Sequence, residues 1–110
     1  MRTAKDTDYF ITLPEVGEFR FGRETLLDKI LIRTHFLGIV KDLKDDDAHY
    51  ASVFAVMIAE YATLCVSCPV GWEHIGDMEL TEQTESQLYA LFALWRDQHQ
   101  SFRNSAASGS

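Results

Sequence analysis

Basic side chains are scarce in this chain. Its 110 residues contain 10 Lys and Arg against 17 Asp and Glu, which gives a formal net charge of −7. A general nucleic-acid binder needs clustered Lys and Arg to neutralise phosphates, so this class of protein is disfavoured. The acidic balance favours solubility and suits a basic protein partner.

Catalytic motifs are missing as well. The sequence has no HExxH segment, no glycine-rich phosphate loop and no hydrolase-like order of Ser, His and Asp. Its four histidines share no spacing; they are His35, His49, His74 and His99. We therefore expect a non-enzymatic protein that needs no cofactor.

Only two cysteines are present, Cys65 and Cys68. A structural zinc site needs four ligands, and the only nearby candidates are Glu73 and His74. A redox pair normally lies at a helix N-terminus, which stabilises the thiolate, whereas this pair is predicted at the C-terminal end of a helix. Two packed free thiols are therefore favoured over a metal site or a redox site.

The most apolar stretch, residues 48–72, contains Glu60 as its only fully charged side chain. Glu60, His49 and the segment Pro69-Val70-Gly71 disfavour a membrane-spanning helix. Residues 1–10 lack the apolar core of a signal peptide, so we expect a cytosolic protein. A helix that is apolar on nearly every face is buried on all sides or contacts a partner, which indicates self-association or a protein-binding domain.

The N-terminal half predicts a β-hairpin followed by a helix. Residues 1–7 are polar and are expected to be flexible. Two β-rich runs, at 9–13 and 18–21, flank the turn residues Pro14-Glu15-Val16-Gly17. The apolar spacing of residues 24–37 then fits a first helix, with Gly38 as its stop.

The C-terminal half predicts two further helices. Residues 39–47 form a connector whose run Lys44-Asp45-Asp46-Asp47 indicates a solvated linker with a helix cap or, less favoured, a divalent-cation site. The second helix runs from Ala48 to Cys65 or Ser67. The third begins after the N-cap Thr81 and persists to about Arg103. Its apolar stripe consists of Leu88, Leu91, Phe92, Trp95, His99 and Phe102.

The predicted fold is mainly α: a three-helix domain with an N-terminal β-hairpin, spanning residues 8–103 and followed by a disordered tail at 104–110. Glu60 is expected at an exposed edge of the second helix or paired with Arg20, Arg33 or Arg96. Five large apolar side chains are candidates for protein binding or for the core; they are Phe54, Met57, Tyr61, Trp72 and Trp95.

Three short segments in the range 16–103 resemble the tail assembly chaperones of long-tailed, siphovirus-type bacteriophages and prophages. Residues 19–33, FRFGRETLLDKILIR, are similar to the strand, basic residue and xxDxIxIR helix that open this family. Cys68-Pro69-Val70-Gly71-Trp72 resembles its P-x-G-W loop. Residues 88–96, LYALFALWR, with the closing Ser101-Phe102-Arg103, resemble its last helix.

This resemblance implies a non-enzymatic protein of the host bacterial cytoplasm that is absent from the mature virion. Members of the family are thought to coat the long helical tape measure protein, keep it soluble and help the tail tube protein to polymerise around it. They often also have a longer product made by a programmed frameshift. Two other readings of the sequence remain: a small helical adaptor or regulatory domain unrelated to phage tails, and a metal or thiol protein that uses Cys65 and Cys68.

Overall fold

The computed structural model describes residues 2–42 and 45–108. Within them, three α-helices accompany a small antiparallel sheet, so the expected mainly α fold with an N-terminal hairpin is confirmed in outline. The elements are β1 (Tyr9–Leu13), β2 (Gly17–Phe21), α1 (Leu26–Val40), α2 (Asp45–Leu64), β3 (Cys65–Ser67), a short 3-10 helix (Ile75–Asp77) and α3 (Glu82–Ser108).

The sheet has one strand more than the hairpin. Strands β1 and β2 pair in antiparallel register, with Tyr9 opposite Phe21 and Leu13 opposite Gly17. Strand β3 pairs with the other edge of β2, placing Cys65 opposite Phe21. The prediction that the second helix continues to Cys65 or Ser67 is therefore wrong. Helix α2 ends at Leu64 because the chain there joins the sheet, a non-local pairing that the apolar run does not reveal.

The turn between β1 and β2 depends on backbone conformations that few residues adopt. Glu15 has a φ of 69° and Gly17 a φ of 138°. A Cβ on Gly17 would approach Cγ of Pro69 to 3.0 Å. Both the positive φ and the close approach of Pro69 therefore require glycine at this position.

The core lies between one face of the sheet and the helices α2 and α3. In β1 the buried side chains are the alternate residues Tyr9, Ile11 and Leu13, as expected for a strand with one face covered. From α3 the predicted apolar stripe supplies Leu91, Phe92 and Trp95, and it also places Leu88 and Phe102 partly buried against the same core.

Helix α1 starts with a capping box. The hydroxyl of Thr25 accepts a hydrogen bond from the backbone NH of Asp28, and the Asp28 carboxylate accepts one from the backbone NH of Thr25. The guanidinium of Arg2 donates to the same carboxylate at 2.6 Å. Gly38 does not stop this helix but lies within it, because the helix continues to Val40.

The structure bears on two predicted segments, and a third lies outside the described residues. Arg2, in the segment expected to be flexible, is held by Asp28. Helix α3 continues to Ser108 and so enters the segment 104–110 that the sequence assigns to a disordered tail. The proposed cation site at 44–47 lies outside what the structure describes, since Lys44 and the side chains of 45–50 are not among the described features. None of the described helices combines the length and the apolarity that a membrane crossing requires.

Candidate protein-binding surface

Helix α1 leaves much of its apolar surface uncovered. We define the α1 face as five of its exposed aliphatic side chains, and the largest exposures are 79% for Leu26, 63% for Leu27 and 56% for Ile30. The other two members of the face are Leu31 and Leu37. Among the helix's own residues only Asp28 is fully buried. A group of neighbouring, exposed aliphatic side chains such as this is unusual on a monomer and typically marks a protein interaction site.

Helix α1 exposes this face because it contacts the rest of the chain along its opposite side. Asp28, Ile32, Phe36 and Val40 follow one another at a four-residue spacing and are buried or half-buried. The helix packs mainly on α2. The remaining apolar positions point elsewhere, because the helix has more apolar residues than a single contact can cover.

A groove separates α1 from α2. Its volume is about 540 Å³, and apolar side chains from both helices line it: Leu26, Ile30, Ile32, Phe36 and Val56. The groove is continuous with the α1 face, because Leu26 and Ile30 belong to both. Thr34 and four charged side chains complete its lining; the charged ones are Glu24, Lys29, Arg33 and Glu60.

Glu60 is the chemically unusual member of this α1–α2 groove. Its Oε2 atom is buried, and within the described part of the chain no donor forms a hydrogen bond to it. Burial raises the pKa of this carboxyl to about 7; the positive charge of Arg96 opposes the shift, and the negative charge of Glu24 adds to it. Neither predicted alternative describes Glu60 fully: it is half-buried, and none of the three expected arginines forms a hydrogen bond to that oxygen.

The three arginines have other surroundings. Arg20 donates to Asp8 at 2.9 Å on the far side of the sheet. The guanidinium of Arg33 lies 5.8 Å from the ring centroid of Phe36 at the groove. Arg96, on α3, acts on Glu60 through its charge.

The end of the groove near Glu24 is tied to α3. Nε2 of His99 lies 3.3 Å from Glu24, and the imidazole stacks on Trp95 with centroids 5.0 Å apart. Next to it, the guanidinium of Arg23 lies 4.0 Å above the ring of Phe102. These contacts position Glu24 at one end of the α1–α2 groove.

Four of the five candidate contact residues are buried core residues, and Tyr61, Trp72 and Trp95 are the least exposed of them. Tyr61 donates its hydroxyl hydrogen bond to the carbonyl oxygen of Trp72 at 2.6 Å, and the ring of Trp72 meets Phe19 edge-on at 5.4 Å. Trp95 is also buried. Contact with a partner stays a prediction for these three residues, and in the single chain they are covered by other core side chains.

The other two candidates, Phe54 and Met57, border a second, smaller groove between α2 and α3. It has a volume of about 220 Å³, and Ile75 and Met78 also line it. Phe54 is half-buried, with its ring 6.0 Å from that of Tyr89, and Met57 is buried. Of the five, Phe54 and Met57 line this groove, and Tyr61 lines a separate one of about 210 Å³ beside His74 and Asp77.

The two thiols are free. Cys65 lies in β3 and not on a helix, its thiol is 3.4 Å from the carbonyl oxygen of Ser67, and burial raises its pKa to about 12. A buried thiol of raised pKa is a poor nucleophile and a poor metal ligand. Among the described residues, no group of three or more His, Cys, Asp or Glu is arranged to hold a metal ion.

The sequence assigns the partner-binding surface to the second helix and not to the α1 face, although a signal for the α1 face exists. Helix α1 carries nine large apolar residues at positions all round the helix, and one stripe accounts for only some of them. The same surplus was recognised in the second helix, which the structure largely buries instead. No protein-family model, curated protein or solved structure matches this chain.

Proposed function

We propose that this chain is a non-enzymatic assembly chaperone of long-tailed bacteriophages. In this proposal it acts in the host bacterial cytoplasm, binds apolar helical segments of the tape measure protein and keeps them soluble while the tail tube protein assembles. It is absent from the mature virion. The observation that carries the proposal is the α1 face, together with the groove beside it.

The chemistry of the surface suits such a partner. A long helical protein presents stripes of apolar side chains, and an amphipathic helix binds by laying its stripe in an apolar groove. The net charge of −7 opposes aggregation of the chain and of its complexes while apolar surface is exposed. The three short segments that resemble the chaperone family supply the identity of the partner.

Co-expression tests the proposal directly. The tape measure protein encoded beside this chain is produced alone, with the wild-type chain, and with a Leu27→Gln/Leu31→Gln variant. We expect the wild-type chain to increase the soluble fraction of the tape measure protein, and the double variant to lose most of this effect. Leu94→Gln is the control, because Leu94 is an exposed leucine of α3 outside the groove and the α1 face.

Two results would reject the proposal. One is a tape measure protein whose solubility does not depend on this chain. The other is a genome in which the gene for this chain is not followed by a gene for a long, helix-rich protein. That result would favour an adaptor or regulatory domain unrelated to phage tails.

A further inference from the structure

The α1–α2 groove combines an apolar wall with the half-buried carboxylate of Glu60. Oε2 of Glu60 has no hydrogen-bond donor within the described residues, although a carboxylate accepts several. A buried polar atom without a partner is costly, so an occupant that supplies a donor would gain affinity at this point. The gain is larger for a cation than for a neutral donor, because the hydrogen bond is then charge-assisted.

Charged groups of both signs surround Glu60, but none of those in the described part of the chain donates a hydrogen bond to its buried oxygen. Glu24 adds a second carboxylate, whose Oε2 lies 3.3 Å from Nε2 of His99. Arg96 on α3 and Tyr9 on β1 interact electrostatically with Glu60, but neither donates a hydrogen bond to its Oε2 atom. Lys29 and Arg33 line the groove but form no hydrogen bond to Oε2 either.

The shape of the surface favours a helix as the occupant. The α1 face runs from Leu26 to Leu37, a distance of about 16 Å along the helix axis at ~1.5 Å per residue. That length matches three turns of an incoming helix, whereas a small molecule would leave most of the face uncovered. The groove opens onto this face through Leu26 and Ile30, so one helix can contact both.

We propose that the α1–α2 groove binds a partner helix that places a Lys or Arg side chain against Glu60. The inference rests on the proposed function, and it adds the chemistry of the recognised segment: an apolar stripe flanked by a cation at the end that meets Glu24 and Glu60. Rotation of the Glu60 carboxylate about its last side-chain bond turns the buried oxygen toward the groove, where the cation of the partner supplies the missing donor, and the apolar stripe covers the α1 face.

Binding should depend on pH in a defined direction. The pKa of Glu60 is about 7 in the free chain because the group is buried. A cation against the carboxylate lowers this pKa, so the complex holds fewer protons than the free chain and affinity rises from pH 6 to pH 8. The contact of His99 with Glu24 is the same in the wild type and in Glu60→Gln. The difference in pH dependence of binding between these two proteins therefore reports on Glu60.

The test uses overlapping synthetic peptides that cover the tape measure protein encoded beside this chain, with binding measured by fluorescence anisotropy. In the tightest-binding peptide, each Lys and Arg is changed in turn to Gln. We expect Glu60→Gln to weaken binding at pH 8 by about tenfold, the size expected for one charge-assisted hydrogen bond. One peptide substitution should have the same effect, and its combination with Glu60→Gln should add little more.

The control is Glu82→Gln, an exposed carboxylate in the first turn of α3, which should leave binding unchanged. Thermal unfolding checks that both variants fold. If the wild type binds a peptide and Glu60→Gln binds it equally at every pH, this inference is wrong and the proposed function stands. If no peptide binds the wild type, both are wrong. If Glu60→Gln alters only self-association of the chain, the occupant is a second copy and the inference is also wrong.

Discussion

Asp28 shows how one side chain connects two distant parts of the chain. Its carboxylate caps α1 through the backbone NH of Thr25 and also accepts the hydrogen bond from Arg2. Burial by itself raises the pKa of Asp28, but the hydrogen bonds from Arg2 and Thr25 together lower it below its ordinary value. A group with a lowered folded pKa adds stability above its unfolded pKa, and this stability is lost on acidification.

Asp28→Asn should therefore destabilise the chain at pH 7 by about 2–4 kcal/mol, because it leaves the Arg2 cation without its partner in a largely buried position. The difference from the wild type should shrink as the pH falls below about 4, because the unfolded chain then binds a proton on Asp28 that the folded chain, with its lowered pKa, does not yet bind. Urea unfolding at several pH values measures this. Asp97→Asn, on the exposed side of α3, is the control, and an equal loss in both variants would contradict the prediction.

Two glycines should respond in opposite directions to the same change. Gly17→Ala should destabilise by about 1–3 kcal/mol, because its φ is positive and the new methyl group would press on Pro69. Gly38→Ala should stabilise by roughly 0.5–1 kcal/mol, because Gly38 lies in a helix with open space around it. Urea unfolding of both variants measures the signs. A loss of stability in Gly38→Ala would show that the position has a constraint absent from the single chain.

The two sides of helix α1 have different roles. Its packed side, with Asp28, Ile32 and Phe36, holds it to the rest of the chain, and the α1 face is exposed. Stability and binding should therefore be separable by substitution on opposite sides of the same helix.

Leu27→Gln/Leu31→Gln should change the free energy of unfolding by less than about 1 kcal/mol, since exposed side chains contribute little. Ile32→Ala, on the packed side, should cost about 1–3 kcal/mol, because it removes apolar contacts that the core does not replace. Thermal and urea unfolding give both values. A large loss in the double variant would mean that the α1 face supports the fold of the single chain.

At the scale of the whole molecule, self-association depends on two opposing features, the uncovered α1 face and the net charge of −7. Apolar contact favours association of two chains, while like charge opposes it, and salt screens the charge more than it weakens the apolar contact. In the absence of its partner we expect the chain to self-associate.

Sedimentation velocity tests this expectation. Larger species should appear as the chain concentration rises, and added salt should increase their proportion. Leu27→Gln/Leu31→Gln should remain monomeric over the same range, whereas Leu94→Gln should behave as the wild type. A wild-type chain that stays monomeric at all concentrations and salt levels would contradict it.

The features that could be predicted from the sequence are those that depend on a local pattern. β-Prone residues identified β1, the alternation of polar and apolar residues identified β2, and the stripe around Leu91 and Trp95 identified the buried side of α3. Turn residues around Pro14 located the hairpin. Each of these signals is contained within a dozen or so neighbouring residues, which is the range over which strand and helix periods are expressed.

Which apolar surfaces stay uncovered depends on how the elements pack against one another, and this could not be predicted from the sequence. Strand β3 exists because Cys65 and Ser67 meet an open edge of β2, forty residues or more away in sequence. Tyr61, Trp72 and Trp95 are buried because three separate elements converge on them, while the equally apolar Leu26 and Leu27 have no element above them. The hydrophobic pattern shows which side chains are stabilised by burial. Whether another element covers them depends on the whole fold.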